Sequence, residues 1–213
     1  MATSTKTVVA KYVFLDIVGF SEGRTVEAQT DIIGVLNDIV RKALHDLKIV
    51  EKSRILLPTG DGLCIALLDI TDPYDMHVQV ALKILELLHA YDLKQEDVMR
   101  KFSIRIGVNE NTDNLVTDVN GNRNVAGAGI TLAQRIMDQA EGGNIFIGQT
   151  VYNHLNQREK YVSKFKRFVV PAKHGRQIEV YLYVDSSVAC LNSQEPKSVG
   201  NWYQKFLSTV HLK

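Results

Sequence analysis

The chain has 213 residues, 45% of them hydrophobic and 23% charged, which suits one compact domain with a sizeable core. A formal net charge of +1 excludes the basic excess that a broad nucleic-acid-binding surface needs, and two cysteines are too few for a disulfide scaffold or a patterned zinc site. No apolar run approaches the ~20 residues of a membrane span, and the polar start Met1 to Thr7 lacks the apolar core of a signal peptide, so a cytoplasmic address with no membrane partner is expected.

Residues 8 to 15 form a β-rich run that ends at Asp16, with Gly19 close behind. Helical periodicity then takes over. Ile32, Ile33, Leu36, Ile39, Val40, Ala43, Leu44 and Leu47 recur at spacings of three and four, which marks one buried helix face. Ile55 to Leu57 and Leu63 to Leu68 read as two strands joined by the tight turn Pro58-Thr59-Gly60-Asp61-Gly62. Cys64 falls in the second of these and reads as a buried, inert thiol. Asp72-Pro73 is expected to open a second helix, with Val78, Ala81, Leu82, Leu85 and Leu88 facing inward.

Phe102 to Val108 alternates apolar and polar residues, the period of a strand with one buried face, and Leu115 to Val119 reads as a separate short strand. The turn Asn120-Gly121-Asn122 leads into a third helix around Ile130 to Ala140, which Gly142-Gly143 ends. Asn144 to Gly148 gives another strand. Lys164 to Val170 and Ile178 to Val184 read as a final pair linked by Lys173-His174-Gly175-Arg176.

The order β-α-β-β-α-β, followed by a further αβ and hairpin section, predicts an α+β fold of the ferredoxin-like, split βαβ kind, spanning residues 8 to 185. Residues 186 to 213 form a polar tail whose amphipathic stretch, Trp202, Phe206, Leu207 and Val210, suits a terminal helix.

Chemistry concentrates at Asp16 and Asp61. Either alone reads as an ordinary turn or cap residue. Together they sit on elements that a βαββ unit must place side by side. Two carboxylates converging at strand ends suit hard divalent cations, and such cations can activate a hydroxyl and neutralise a leaving phosphate. Gly19 would let the backbone amides of Val18 and Phe20 approach phosphate oxygens, with the following helix start adding positive potential.

Phe14-Leu15-Asp16-Ile17-Val18-Gly19-Phe20-Ser21 resembles the first-strand motif of the class III adenylate and guanylate cyclases, and Gly60-Asp61 that family's second metal site. Ile104-Arg105-Ile106-Gly107-Val108, Ile130-Thr131-Leu132-Ala133-Gln134-Arg135 and Asn144-Ile145-Phe146-Ile147 continue the resemblance in order. It implies a nucleotide cyclase using two Mn²⁺ or Mg²⁺ ions held by Asp16, Asp61 and the Ile17 carbonyl. It also implies that Arg135 stabilises charge on the α-phosphate, and that Lys173 or Arg176 holds the triphosphate. By themselves, Arg135 reads equally as a solvent-facing helix arginine, and Lys173 and Arg176 as solvated loop charges. Because the family's sites form between two cyclase domains, one domain implies a homodimer with shared sites.

Three positions depart from the pattern. Leu57 and Asn124 stand where purine cyclases carry their base-reading pairs, and Thr131 replaces the usual helix Asn that supports the ribose or transition state. A short, stand-alone chain with these features looks most like the pyrimidine cyclases of bacterial Pycsar anti-phage systems, whose cyclic UMP or cyclic CMP activates a separate effector. UTP is therefore the expected substrate. The alternatives are CTP, a purine triphosphate read by an unusual pocket, and a catalytically silent nucleotide-binding domain. A diguanylate cyclase or polymerase palm would carry a Gly-Gly-Asp-type turn, and Gly60-Asp61 lacks its first glycine.

Overall fold

The computed structural model describes residues 6–171 and 177–197. Eight strands form one mixed sheet, in the order β2 (Arg54–Pro58), β3 (Gly62–Leu68), β1 (Thr7–Ile17), β4 (Ile104–Thr117), β6 (Ile145–Gly148), β8 (Gln177–Tyr183) and β7 (Phe165–Pro171), with β5 (Arg123–Ala126) paired to β4. β1 is antiparallel to both β3 and β4, which fixes it at the centre of the fold. β4 and β6 run parallel and are joined through helix α3 (Ala128–Met137), the crossover that a parallel pair needs.

The strand period of two divides the core. Val13, Leu15 and Ile17 of β1 pack with Ile65, Leu67, Ile104 and Ile106 beneath three helices: α1 (Val26–Asp46), α2 (Met76–Asp92) and α4 (Gln149–Leu155). Tyr12 and Phe14 face the other way, with Cys64, Ala66 and Ala133, under α3. α1 presents Ala28, Ile32, Leu36, Ile39, Val40, Ala43 and Leu44 to the sheet, and the Thr25 side chain caps its start by accepting the Ala28 N–H at 3.2 Å. Each large aliphatic side chain buried this way contributes about 1.5–3 kcal/mol. Cys64 is fully buried, and burial pushes its thiol well up, consistent with an inert group.

α3 lies against the sheet because Gly107 has no side chain. A Cβ there would stand 2.4 Å from both the Ala133 carbonyl oxygen and the Met137 nitrogen. The helix start is tied down by a buried carboxylate: Asp113 accepts the Tyr12 hydroxyl at 2.6 Å and the Gly129 N–H at 3.2 Å.

Several expectations need correction. Leu115 to Thr117 is no separate strand: β4 runs unbroken through the polar stretch from Asn109 to Asn114, because β1 pairs with it along Thr7 to Tyr12. β5 then intervenes before α3, where a turn alone was expected. α2 begins at Met76 and not at Asp72-Pro73, and α3 ends at Met137, with Asp138 to Ala140 in a closing turn. α4 was not anticipated. The first described residues of the tail pack back on the domain: Leu191 is buried, Asn192 donates its backbone N–H to the Gly143 carbonyl at 2.9 Å, and Asn144 Nδ2 donates to the Asn192 carbonyl at 2.7 Å. Trp202, Phe206, Leu207 and Val210 lie outside the described residues. Among the described residues, no helix is long and apolar enough to cross a membrane.

Candidate active site

Asp16 occupies the last turn of the pleat on β1, on the α3 face. Its cross-strand partners are Gly62 of β3 and Arg105 of β4. Gly62 must be a glycine. A Cβ there would meet the Leu15 carbonyl oxygen at 2.4 Å and Asp16 Oδ1 at 3.0 Å. Directly before it, Asp61 sits in the β2–β3 turn, which the Thr59 N–H closes onto the Gly62 carbonyl at 3.0 Å. The Asp61 backbone carbonyl accepts the Ile17 N–H at 3.2 Å, so the turn is stitched to the end of β1. This sets the Asp61 turn beside the end of β1 that carries Asp16.

Their electrostatics agree with that placement. Burial raises the Asp16 pKa above the usual carboxylate range, hydrogen bonds from Arg105 pull the other way, and the negative charges of Asp61 and Asp138 add to the rise. Arg105 holds Asp16 Oδ2 with two N–H bonds, from Nε at 3.1 Å and Nη2 at 2.8 Å. In the sequence, Arg105 stands only as one polar residue of a strand motif. Its signal was parity: on β4 it is the polar residue between Ile104 and Ile106, so it shares a face with the residue opposite it on β1.

A cavity of about 350 Å³ opens beside these residues, lined by Ile17, Val18, Gly19, Arg105, Asp138, Ala140 and Glu141. Gly19 adopts a positive φ of 60°, the left-handed turn conformation that glycine takes without strain. Arg24 braces this loop, donating to the Gly19 carbonyl and, at 3.1 and 3.0 Å, to the Met99 and Lys101 carbonyls. The Val18 N–H is spent on the Ser103 carbonyl at 3.0 Å. Of the amides expected to approach phosphate, that of Val18 is thus engaged, while the Gly19 and Phe20 N–H groups have no hydrogen-bond acceptor among the described residues. α1 starts at Val26, after the polar stretch that follows Gly19.

A divalent cation fits this donor set in kind. Two carboxylates and a strand-end carbonyl are hard oxygen ligands. Among the described residues, no cluster of three or more acidic, His or Cys side chains is arranged to hold a metal, so Asp16 and Asp61 would need further oxygens from backbone, substrate or water.

The remaining candidates lie elsewhere. Leu57 and Asn124 come together in a second cavity of about 600 Å³, lined also by Leu56, Pro58, Asn120, Asn122, Val125 and Ile130. Asn124 Oδ1 accepts the Val125 N–H at 2.7 Å, leaving its amide NH₂ as the group it can offer. Thr131 is exposed on α3, and the half-buried Arg135 side chain has no hydrogen bond or ion pair among the described residues. The two cavities share no lining residue. A third, of about 590 Å³ around Lys11, Tyr74, Glu110 and Arg158, shares none with either. Lys173 and Arg176 lie outside the described residues.

Comparison with known proteins agrees with this architecture. No curated protein matches the sequence. Solved structures do match in fold. The guanylyl cyclase Cya2 superimposes with a TM-score of 0.71 at 16% identity, covering 90% of this chain and all of the other. The adenylyl cyclase CyaB from P. aeruginosa gives 0.66 at 19%, covering 86% and 97%. The guanylate cyclase domain of RhGC from Catenaria anguillulae, solved with GTP, gives 0.63 at 17%, covering 84% and 98%. At such identities these establish the fold alone. The sequence profile described as the adenylate and guanylate cyclase catalytic domain matches residues 3–184, and the chain belongs to that family.

Proposed function

We propose that this nucleotide cyclase domain converts a pyrimidine nucleoside triphosphate, UTP in first place, into its 3′,5′-cyclic monophosphate and pyrophosphate. The observation that carries the reading is that the turn holding Asp61 is stitched to the end of β1, which carries Asp16, beside a glycine-bent loop. Asp16, Asp61 and the Ile17 carbonyl would hold Mn²⁺ or Mg²⁺, which supplies positive charge to the triphosphate and to the attacking hydroxyl. The Gly19 and Phe20 amides would hold phosphate oxygens, joined by Lys173 or Arg176. Arg135 would stabilise charge developing on the α-phosphate.

The pyrimidine assignment rests on the second cavity and on the resemblance to the Pycsar cyclases. Leu57 offers no hydrogen bond, so the Lys or Glu that reads a purine at that position is missing. The Asn124 amide can donate to a ring carbonyl such as those of uracil. A purine substrate is favoured instead by the solved neighbours, which are guanylyl and adenylyl cyclases. The product would act on a separate effector in anti-phage defence.

Incubation with ATP, GTP, CTP or UTP separately, with Mn²⁺ or Mg²⁺ and mass-spectrometric readout, tests the substrate. Cyclic UMP alone is expected. A purine product would reject the pyrimidine assignment, and no product from any triphosphate would leave a binding domain. Separation of the two cavities within one chain supports sites shared across a homodimer. Mixing inactive Asp16→Asn and Arg135→Ala proteins should restore up to about a quarter of wild-type turnover, from the half of dimers that are mixed and hold one intact site of two. Absence of recovery would count against shared sites.

A further inference from the structure

We infer that Asp113 is a positioning residue for the cyclisation: from β4 it fixes where α3 stands along the sheet, and through α3 where Arg135 meets the α-phosphate. The inference rests on the cyclase reading and on the role given there to Arg135. α3 brings no capping side chain of its own, since its N-cap is Gly127. Asp113 supplies the missing acceptor from the strand below. Its Oδ2 accepts the Gly129 N–H at 3.2 Å and the Tyr12 hydroxyl at 2.6 Å, and its Oδ1 accepts from Asn111 Nδ2 at 2.5 Å. Asp113 is 4% exposed and Tyr12 fully buried, so water does not compete for these bonds. The backbone comes down onto the carboxylate because two glycines allow it: a Cβ at Gly127 or at Gly129 would overlap a carboxylate oxygen. Asn109 grips the same residue from its other side, donating Nδ2 to the Gly129 carbonyl at 3.1 Å.

Further along, α3 rests on the sheet through Ala133, Ile136 and Met137, with the bare backbone of Gly107 beneath it. Apolar contact of this kind sets the distance between helix and sheet but has no direction, so it does not fix the helix along the strand. The bonds to Gly129 do. Arg135 lies about 9 Å further along the helix axis. Its half-buried side chain has no hydrogen bond or ion pair among the described residues, so the helix backbone is what places it. A displacement of ~1 Å at a group that meets the reacting atoms can cost ~100-fold in rate. Asp113 thus acts on the chemistry only through α3.

Steady-state kinetics of cyclic-product formation, normalised to folded protein by denaturant unfolding, test this. Asp113→Ala is expected to lower kcat about 30-fold with KM within about twofold of wild type, because charge on the α-phosphate develops only in the transition state. Asp113→Asn keeps an oxygen for the Tyr12 and Gly129 donors and should bring kcat back to within about fivefold of wild type. Ile84→Ala, which loses stability on the opposite face, should keep kcat per folded molecule near the wild-type value. Folded Asp113→Ala with undiminished kcat overturns the inference, as does a change in KM alone, or an Asp113→Asn no better than Asp113→Ala. A parallel fall of kcat in Ile84→Ala overturns it too, since the loss would then follow stability. Wild type that makes no cyclic product from any triphosphate sinks the cyclase reading and this inference with it, whereas an active wild type beside an equally active Asp113→Ala sinks the inference alone. Should Asp113→Ala fail to fold, Tyr12→Phe, which removes one of the three bonds to the carboxylate, should lower kcat about threefold at unchanged KM, and unchanged kcat there overturns the inference equally.

Discussion

On one face of the sheet, Val13, Leu15 and Ile17 of β1 lie beneath α1, α2 and α4. On the other, Tyr12, Phe14 and Asp16 meet α3 alone. The first face is a continuous apolar core interrupted by a few buried polar groups near Lys11 and His77. The second is thinner: Leu57, Leu115 and Ile130 stay partly open, and the face ends in Asp16, Arg105 and the loop at Gly19. Burial supplies stability where three helices cover the strands. Where one helix does, charged groups keep access to solvent and to a ligand.

If that division holds, substitutions on the two faces should separate activity from stability. The largest effect is expected for Asp16→Asn. Turnover should fall by at least ~1,000-fold, because a metal carboxylate is lost, while the melting temperature moves by only a few degrees. Side-by-side turnover and thermal denaturation check this, and retained turnover would remove Asp16 from the chemistry. Ile84→Ala, on the helix-rich face, should do the reverse. Removing a fully buried aliphatic side chain costs about 2–5 kcal/mol, whereas turnover per folded molecule stays near wild type. Denaturant unfolding with active-site normalisation decides it.

The smallest effect is a pH slope from the same core. His77 on α2 is 1% exposed, and neither ring nitrogen has a hydrogen-bond partner among the described residues. Burial, helped by the Lys11 charge, pushes its pKa down to about 3. The unfolded chain then takes up a proton below its ordinary value of about 6.5 that the folded chain refuses, so stability falls as pH drops from there toward 3. Between pH 7.5 and 5.5 this contributes a loss of about 1.4 kcal/mol. His77→Leu should lose that much less than wild type over the same interval in urea titrations. Equal losses would show that the ring is protonated in the folded protein.

Much of the molecule was legible from spacing. The three-and-four period of α1 and the alternation around Ile104 are direct consequences of one-sided burial, and the Pro58 to Gly62 turn announces its hairpin. The polar half of β4 was not legible. Asn109, Asn111 and Asp113 look like loop residues until their partners are known: Asn109 Nδ2 donates to the Gly129 carbonyl at 3.1 Å, and Asp113 holds the start of α3. β5 was missed for the same reason, since Asn124 satisfies its neighbour's N–H and reads as a turn former. At the site, Asp16 and Asp61 could be paired because a short hairpin beside the first strand leaves them nowhere else to go. The grip of Arg105 depends on the pairing of Asp16 with Arg105 across β1 and β4, which no local pattern encodes.

The seven-residue alignment of β1 with β3, from Ala10 opposite Leu68 to Asp16 opposite Gly62, carries one more consequence. A slip of a single position would sink the Asp16 charge into the oil under α1 and α2 and lift Leu15 into water. A chain threaded that way would be insoluble as well as inert. Soluble protein should therefore keep a constant specific activity even when a core variant such as Ile84→Ala or a growth temperature cuts the yield, because assembling the strand correctly and assembling the catalyst are one event.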